Sequence, residues 1–276
     1  MELGLGSIAF IYDAIENGKF SYSVDLLLNS IERTFHFAEE NDLKICEIIL
    51  DPPEILLSED RQKFIDMCDS FPKIKKQFHA PFTYLSLCTR NPWILQASLE
   101  CYITCAEICN EIGAKLYTLH PGNAKFLHHS YNSIKNQLVE SIDKLLNEIN
   151  GMGLITCIEN MPKFAGFFLN ANEINDFYSK VNRSDIYFTW DTGHSWSCYD
   201  DIDKLWENQH KRIKNIHLVE NLDNALDIHP TLGIGAVDFQ KVFDLAEQYS
   251  YRGAMIMELH KVEDLLQSIE FIRHFF

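Results

Sequence analysis

Short apolar or β-branched runs alternate along this chain with longer stretches of helical period. The strand-like runs are Glu2–Leu5, Ile45–Leu50, Gln77–Ala80, Leu116–His120, Ile155–Glu159, Ile186–Asp191, Ile213–Val219 and Ala254–Glu258. The amphipathic stretches between them begin near Val24, Ser58, Asn91, Ser130, Asn172, Asp201 and Asp238, with a last one near Val262. Ser23 and Asp238 are expected as N-caps, and Pro92 suits a first helical turn. Strand followed by helix, eight times over and with no Ser/Gly/Pro-rich linker, predicts one α/β domain spanning 1–276, a single (β/α)8 TIM barrel. A doubly wound open sheet is the rival. Its Gly-rich first turn is missing, since strand one runs into a loop reading GSIAFIYDAIENGKF.

Composition narrows the picture. The 276 residues are 46% hydrophobic and 23% charged, which is globular rather than disordered. With 24 Lys+Arg against 40 Asp+Glu the formal charge is −16, which disfavours a protein held mainly by nucleic-acid phosphates or an anionic membrane surface. The start, MELGLGSIAF, lacks the basic and apolar regions of a secretory signal, and no apolar run approaches membrane-spanning length. A cytoplasmic protein with reduced cysteines is expected, without a membrane partner. Cys101, Cys105 and Cys109 recur along one helix face, and a buried thiol stripe is expected there rather than a metal cluster.

Chemistry enters at the strand ends, where barrels place their active sites. Strand three ends QFHAPF with His79, strand four YTLHPG with His120, and strand five TCIENMP with Glu159. Strand six ends FTWDTGH with Asp191 and then His194, strand seven carries His217, and strand eight ends MIMEL with Glu258. The loop LDIHPTLGIG adds Asp227 and His229. Each has an ordinary explanation alone. Together they converge on the barrel axis, where uncompensated charge is costly and a divalent cation is the natural compensation. Imidazole with carboxylate suits Zn, Mn or Fe. His260, two residues after Glu258, either lines the site or serves a plain loop role. His128 and His129 at a helix start, and His36, His210 and His274 in helices, read as surface or packing residues.

As a set, in this order and at these strand positions, the motifs resemble the xylose isomerase-like TIM barrels, which include endonuclease IV and the sugar-phosphate isomerases and epimerases. The resemblance runs from HAPF at His79 through Glu258. By analogy with the three-zinc nuclease, it implies one ion held by His79, His120 and Glu159. A second would sit among Glu159, Asp191, His217 and Glu258, and a third at His194, Asp227 and His229. In the one-metal epimerases the counterparts of Glu159, Asp191, His217 and Glu258 bind the ion. There the two glutamates are also acid and base, and His194 contacts substrate. Phe82 occupies the place of an aromatic with which the nuclease grips DNA, so Phe82, His194 and His260 are the expected substrate-binding residues. The loop LDPPEILL has no arginine where endonuclease IV inserts one into DNA, and ENMP and GIGAVDF match the isomerase branch.

The expected activity is therefore a divalent-metal-dependent isomerase or epimerase. Its partner would be a small sugar or sugar phosphate, with Glu159 and Glu258 exchanging the proton. Zinc is the favoured cofactor, in up to three ions, with Mn or Mg as alternatives. Zinc-dependent cleavage of abasic DNA is the alternative, followed by a non-catalytic metal-dependent binding protein. Two basic groups, Lys73/Lys75/Lys76 and Lys211/Arg212/Lys214, fall toward the N-terminal ends of strands three and seven, away from the expected site. The Gly233/Gly235 loop is read either as a phosphate contact or as the turn that delivers Asp227 and His229.

Overall fold

A computed structural model describes the chain apart from residues 19, 21, 57–58, 125–129 and 224–225. Its eight strands are β1 (Glu2–Gly6), β2 (Ile45–Ile49), β3 (Lys75–His79), β4 (Leu116–Leu119), β5 (Ile155–Glu159), β6 (Ile186–Asp191), β7 (Ile213–Leu218) and β8 (Ala254–Met257). All pair in parallel, in sequence order, and β8 closes on β1. The eight predicted strands are all present, with ends within one or two residues of those read from the sequence. The largest helices lie where expected: α2 (Ser23–Glu40), α3 (Arg61–Ser70), α4 (Pro92–Glu111), α5 (Tyr131–Glu148), α6 (Ala171–Lys180), α8 (Ile202–Gln209), α9 (Phe239–Gln248) and α10 (Leu265–Arg273).

Local chemistry explains several boundaries. Asn91 accepts from Trp93 N at 3.1 Å, with Pro92 in the first turn of α4, and Asp238 accepts from Lys241 N at 3.0 Å to start α9. Three expectations are corrected. Ser23 is the first residue of α2, with Tyr22 before it and no side-chain cap. The stretch after β1 is not a loop but contains α1 (Ile8–Asn17), because Phe10, Ile11 and Ala14 fall on one buried face. The third helix starts at Arg61; Ser58 lies outside the described residues, as do His128 and His129. A short helix, α7 (Thr192–Ser197), follows β6 directly.

Alternation along the strands divides the barrel interior into two layers. The lower one holds Gly4, Glu47, Gln77, Thr118, Cys157, Thr189, Asn215 and Ile256, and hydroxyl contact across it is direct, with Thr118 Oγ1 2.8 Å from Thr189 Oγ1. Two residues further along each strand stand Gly6, Ile49, His79, His120, Glu159, Asp191, His217 and Glu258. Two glycines of β1 make room for β8. A Cβ on Gly4 would lie 2.5 Å from Ile256 Cδ1, and one on Gly6 would lie 3.2 Å from Glu258 Cγ.

The outer shell is apolar. Trp190 and Trp206 meet edge to face at 5.4 Å, and Cys105 and Cys109 of α4 are buried, with Cys101 half-buried beside them. Burial pushes the Cys101 thiol up to about 12, consistent with the packing reading of the stripe. The basic residues of the lower rim act structurally. Lys75 pairs with Glu2 at 2.6 Å, and Arg212 stacks on Tyr178 while donating to the Ile186 carbonyl. Lys75 and Lys76 open β3 and Lys214 is the second residue of β7, at the N-terminal ends of their strands. Among the described residues no helix is long and apolar enough to cross a membrane.

Candidate metal and substrate site

The upper interior layer, with His194 of α7 and Asp227 and His229 of the loop after β7, brings all nine predicted ligand residues to one mouth of the barrel. Glu159 is the hub. His79 Nε2 lies 3.1 Å and His120 Nε2 3.2 Å from its Oε2, while His217 Nδ1 lies 3.0 Å and His194 Nδ1 3.6 Å from its Oε1. Glu258 Oε1 stands 3.6 Å from the same His217 Nδ1, and Asp191 Oδ2 lies 4.0 Å from it. Beside them Asp227 bridges two imidazoles, with Oδ2 3.1 Å from His194 Nε2 and Oδ1 2.8 Å from His229 Nε2.

The DTGH segment shows how the sequence shapes this corner. Asp191 Oδ1 accepts from His194 N at 2.6 Å, capping α7 and leaving Oδ2 without a hydrogen bond. Thr192 exchanges hydrogen bonds with the backbone of Val219, and Gly193 lies so close to Val219 that a Cβ would approach its Cγ1 to 2.6 Å. Asn160 of ENMP pairs with both backbone groups of Asp191, accepting at 2.8 Å and donating at 3.0 Å, which locks β5 to β6.

The outer nitrogens of two imidazoles are tied by acceptors. His79 Nδ1–H donates to the Ala80 carbonyl at 2.8 Å and His194 Nδ1–H to the Asn160 carbonyl at 2.8 Å. A carbonyl can only accept, so these bonds place a proton on each Nδ1 and leave Nε2 as the nitrogen turned toward the cluster.

Burial opposes every charge here, and neighbours decide the outcome. Against burial, Glu159, Glu47 and Glu258 raise His79 to about 9. Asp191 and Asp227 raise His194 to about 10, and Asp227 raises His229 to about 9, in both cases against burial. His217 is also raised, by Glu159, Glu258 and Glu47 over burial, whereas burial wins at His120 and lowers it. Glu159 and Asp227 are held well below the usual carboxylate range by their histidines despite burial. Glu258 goes the other way: burial, reinforced by Glu159 and Glu47, raises it to about 7.

This donor set fits divalent cations. Four groups of three residues each gather ligand atoms within 4.8 Å: His79/His120/Glu159, Glu159/Asp191/His217, Glu47/His217/Glu258 and His194/Asp227/His229. The buried Asp191 Oδ2 and Glu258 Oε1 have no hydrogen-bond partner among the described residues, as expected of oxygens shaped for an ion.

A cavity of about 250 Å³ opens over the cluster, lined on its apolar side by Ile8, Tyr12, Ile49, Phe82 and Phe164. Phe82 packs on both His120, at 5.1 Å, and His79, at 5.5 Å, and its amide is held by Asp51 Oδ2 at 3.0 Å. His260 stacks on His229 at 4.4 Å and 6° and meets Tyr12 at 4.5 Å; burial lowers it to about 3, with His229 adding to the effect, so it lines the cavity as a neutral ring. Phe82, His194 and His260 are thus all on the cavity wall.

Gly233 N and Val237 N donate to the buried carboxylate of Glu220, at 3.1 and 3.0 Å, so these amides are committed within the fold. Sequence reasoning missed Glu220, and also Glu47, which stands fully buried beneath His217. The available signal was a carboxylate inside an apolar strand, ICEII, in a fold whose strands are covered on both faces.

The family model described as xylose isomerase-like TIM barrel matches residues 35–275, and the chain belongs to that family. An uncharacterized protein of Methanocaldococcus jannaschii is 20% identical over all of this chain and 89% of its own length. The solved D-allulose 3-epimerase from Methylomonas sp. in complex with D-allulose superposes with a TM-score of 0.78 at 17% identity, covering 100% of this chain and 97% of that one. An IolI protein with a bound zinc atom gives 0.72 at 19% identity, covering 99% and 94%.

Proposed function

We propose that this xylose isomerase-like barrel is a divalent-metal-dependent isomerase or epimerase acting on a small sugar or sugar phosphate. One observation carries the reading. Glu159, which closes β5, and Glu258, which follows β8, reach the same His217 nitrogen at 3.0 and 3.6 Å, with Asp191 Oδ2 4.0 Å from it, and both glutamates line the cavity. Two carboxyl groups that face one bound sugar can supply the base and the acid for proton transfer next to a carbonyl. Similarity to an epimerase with D-allulose bound and to a protein with bound zinc supports the same direction.

The ligands of the catalytic ion would be Glu159, Asp191, His217 and Glu258, with zinc favoured by the imidazole and carboxylate donors and Mn or Mg as alternatives. When bound, the ion polarises the carbonyl and adjacent hydroxyl oxygens of the sugar. Glu159 takes the proton from the carbon next to the carbonyl, and the C–H electron pair becomes the new carbon–carbon double bond as the carbonyl π pair moves onto oxygen. Glu258 returns a proton, to the other face in an epimerisation. His194 and His260 face the sugar hydroxyls, while Phe82 and Tyr12 cover an apolar face and exclude water. Incubation with unphosphorylated and phosphorylated ketoses in deuterated water tests this: metal-dependent exchange of a carbon-bound proton is expected. Its absence across a broad panel, in a fully metallated protein, would overturn the assignment.

A second reading rests on the His194/Asp227/His229 group, which exceeds what a one-metal epimerase needs. Three ions could support phosphodiester hydrolysis at abasic DNA. Against it, no Lys or Arg is among the described residues lining the cavity, and the chain carries −16. Cleavage of an abasic duplex, lost in Glu159→Gln, is the discriminating assay.

A further inference from the structure

Beneath His217 the interior holds a carboxylate with no place in the proton chemistry. Glu47 of β2 is fully buried. Its Oε2 accepts from Gln77 Nε2 at 2.5 Å and Asn215 Nδ2 at 2.8 Å. Its Oε1 lies 2.8 Å from His217 Nε2 without an aligned hydrogen bond, and no described residue donates to it. The same His217 nitrogen is 3.0 Å from Asn215 Nδ2.

Two groups with opposite demands therefore face His217 Nε2. The Asn215 amide donates, and so favours a lone pair on Nε2 and the proton on Nδ1. The Glu47 carboxylate accepts, and so favours the proton on Nε2. The choice matters because Nδ1 is the nitrogen turned toward Glu159, Glu258 and Asp191. A protonated Nδ1 donates to Glu159 Oε1 and cannot ligate; a bare Nδ1 can. His79 and His194 are oriented by backbone carbonyls, whereas at His217 this choice falls to a side chain.

We infer that Glu47 is a positioning residue: it fixes His217 as the Nε2–H tautomer and so presents the Nδ1 lone pair to a divalent cation. The inference rests on the metal-binding part of the proposed function and extends it to the layer below. A charged acceptor outcompetes a neutral amide donor for this nitrogen, and a carboxylate behind a ligating imidazole also makes the ring a stronger donor to the ion.

The test uses the full chain loaded with zinc alone. Zinc affinity and stoichiometry are measured by competition with a chromogenic chelator, and the His217 tautomer is read from ¹⁵N–¹H correlation spectra of histidine-labelled protein. Glu47→Gln keeps the shape and removes the charge. Its amide must either face His217 Nε2 as a donor or oppose the amides of Gln77 and Asn215. The expected result is a 10- to 100-fold weaker zinc site at His217, with Nδ1 protonated and the thermal midpoint of the metal-free protein shifted by only a few degrees. The double variant Glu47→Gln/Asn215→Asp returns a carboxylate to His217 Nε2 and gives it both neighbouring amides as donors. Most of the lost affinity and the original tautomer should come back.

If the single variant keeps zinc affinity within about twofold and leaves the tautomer unchanged, the inference fails while the metal reading stands. If it loses one whole ion and the double variant does not restore it, Glu47 is itself a ligand and the positioning role is wrong. A wild-type protein that binds no zinc sinks the metal reading and this inference together. A misfolded Glu47→Gln leaves the decision to the wild-type spectrum, where a protonated Nδ1 in the zinc form is equally decisive against it.

Discussion

Filling this site with divalent ions should expel about four protons at pH 7. His79, His194 and His229 are held protonated up to about 9, 10 and 9, and His217 is raised by three carboxylates. An ion must displace those protons to reach the lone pairs. Four ordinary histidines, each near 6.5, would be about a quarter protonated at pH 7 and would release about one proton in total. Glu258, near 7, adds about half a proton in either case. At the His194/Asp227/His229 group, displacing two protons lying two and three pH units above neutrality absorbs at most about 7 kcal/mol of the intrinsic binding energy. The apparent affinity of that group should rise up to about 100-fold per pH unit between pH 7 and 9. Calorimetric titration with zinc in buffers of different ionisation enthalpy counts the protons directly. A release of only one to two protons, with affinity flat above pH 7, would refute the argument that carboxylates hold these imidazoles charged.

Three further outcomes follow from particular contacts. Glu258→Gln should lower turnover by about 10²- to 10⁴-fold, measured as metal-dependent deuterium exchange, with the circular dichroism of the barrel unchanged. Asn160→Ala strips both backbone groups of Asp191 of their partners in a fully buried setting; urea unfolding should show a loss of about 2–4 kcal/mol. Chelation of zinc present at about 100 times its dissociation constant should cost about 2.7 kcal/mol, a fall of roughly 5 °C in a chain of this length. That gap has a definite pH dependence. The raised histidines stabilise the metal-free fold fully below their unfolded value near 6.5 and lose that contribution as pH rises through about 9 to 10. The thermal midpoints of the metal-free and zinc-loaded proteins should therefore diverge between pH 7 and 10.

The barrel and most of its polar rim were legible for one reason: six of the nine ligand residues stand at or next to a strand end, where the apolar run stops and an imidazole or carboxylate replaces it. His79, Glu159 and Asp191 close their strands, and His120 and Glu258 follow theirs by one residue. α1 was not legible, because its apolar residues lie between turn-like neighbours and read as an irregular loop until the β1 register shows which face is buried. Glu220 was hidden differently. It follows a strand end just as Glu258 does, yet it turns away to bind the amides of its own loop. Residue type and position mark where a carboxylate sits, and only the backbone around it decides whether it serves a ligand or a turn.

The lower layer makes the same point in energetic terms. Barrel interiors are usually filled by branched apolar side chains, yet here Glu47, Gln77, Thr118, Thr189 and Asn215 occupy it, all buried. Replacing a buried polar network by well-packed apolar residues is often neutral or stabilising, so the network is weak evidence of a stability role. Its geometry suggests what it does instead. Gln77 and Asn215 both donate to Glu47, which leaves one carboxylate oxygen for the His217 ring above. In ICEII the glutamate looks like a misplaced charge; seen from the imidazole it serves, it stands one layer below the metal ligands and faces the one nitrogen that does not point toward them.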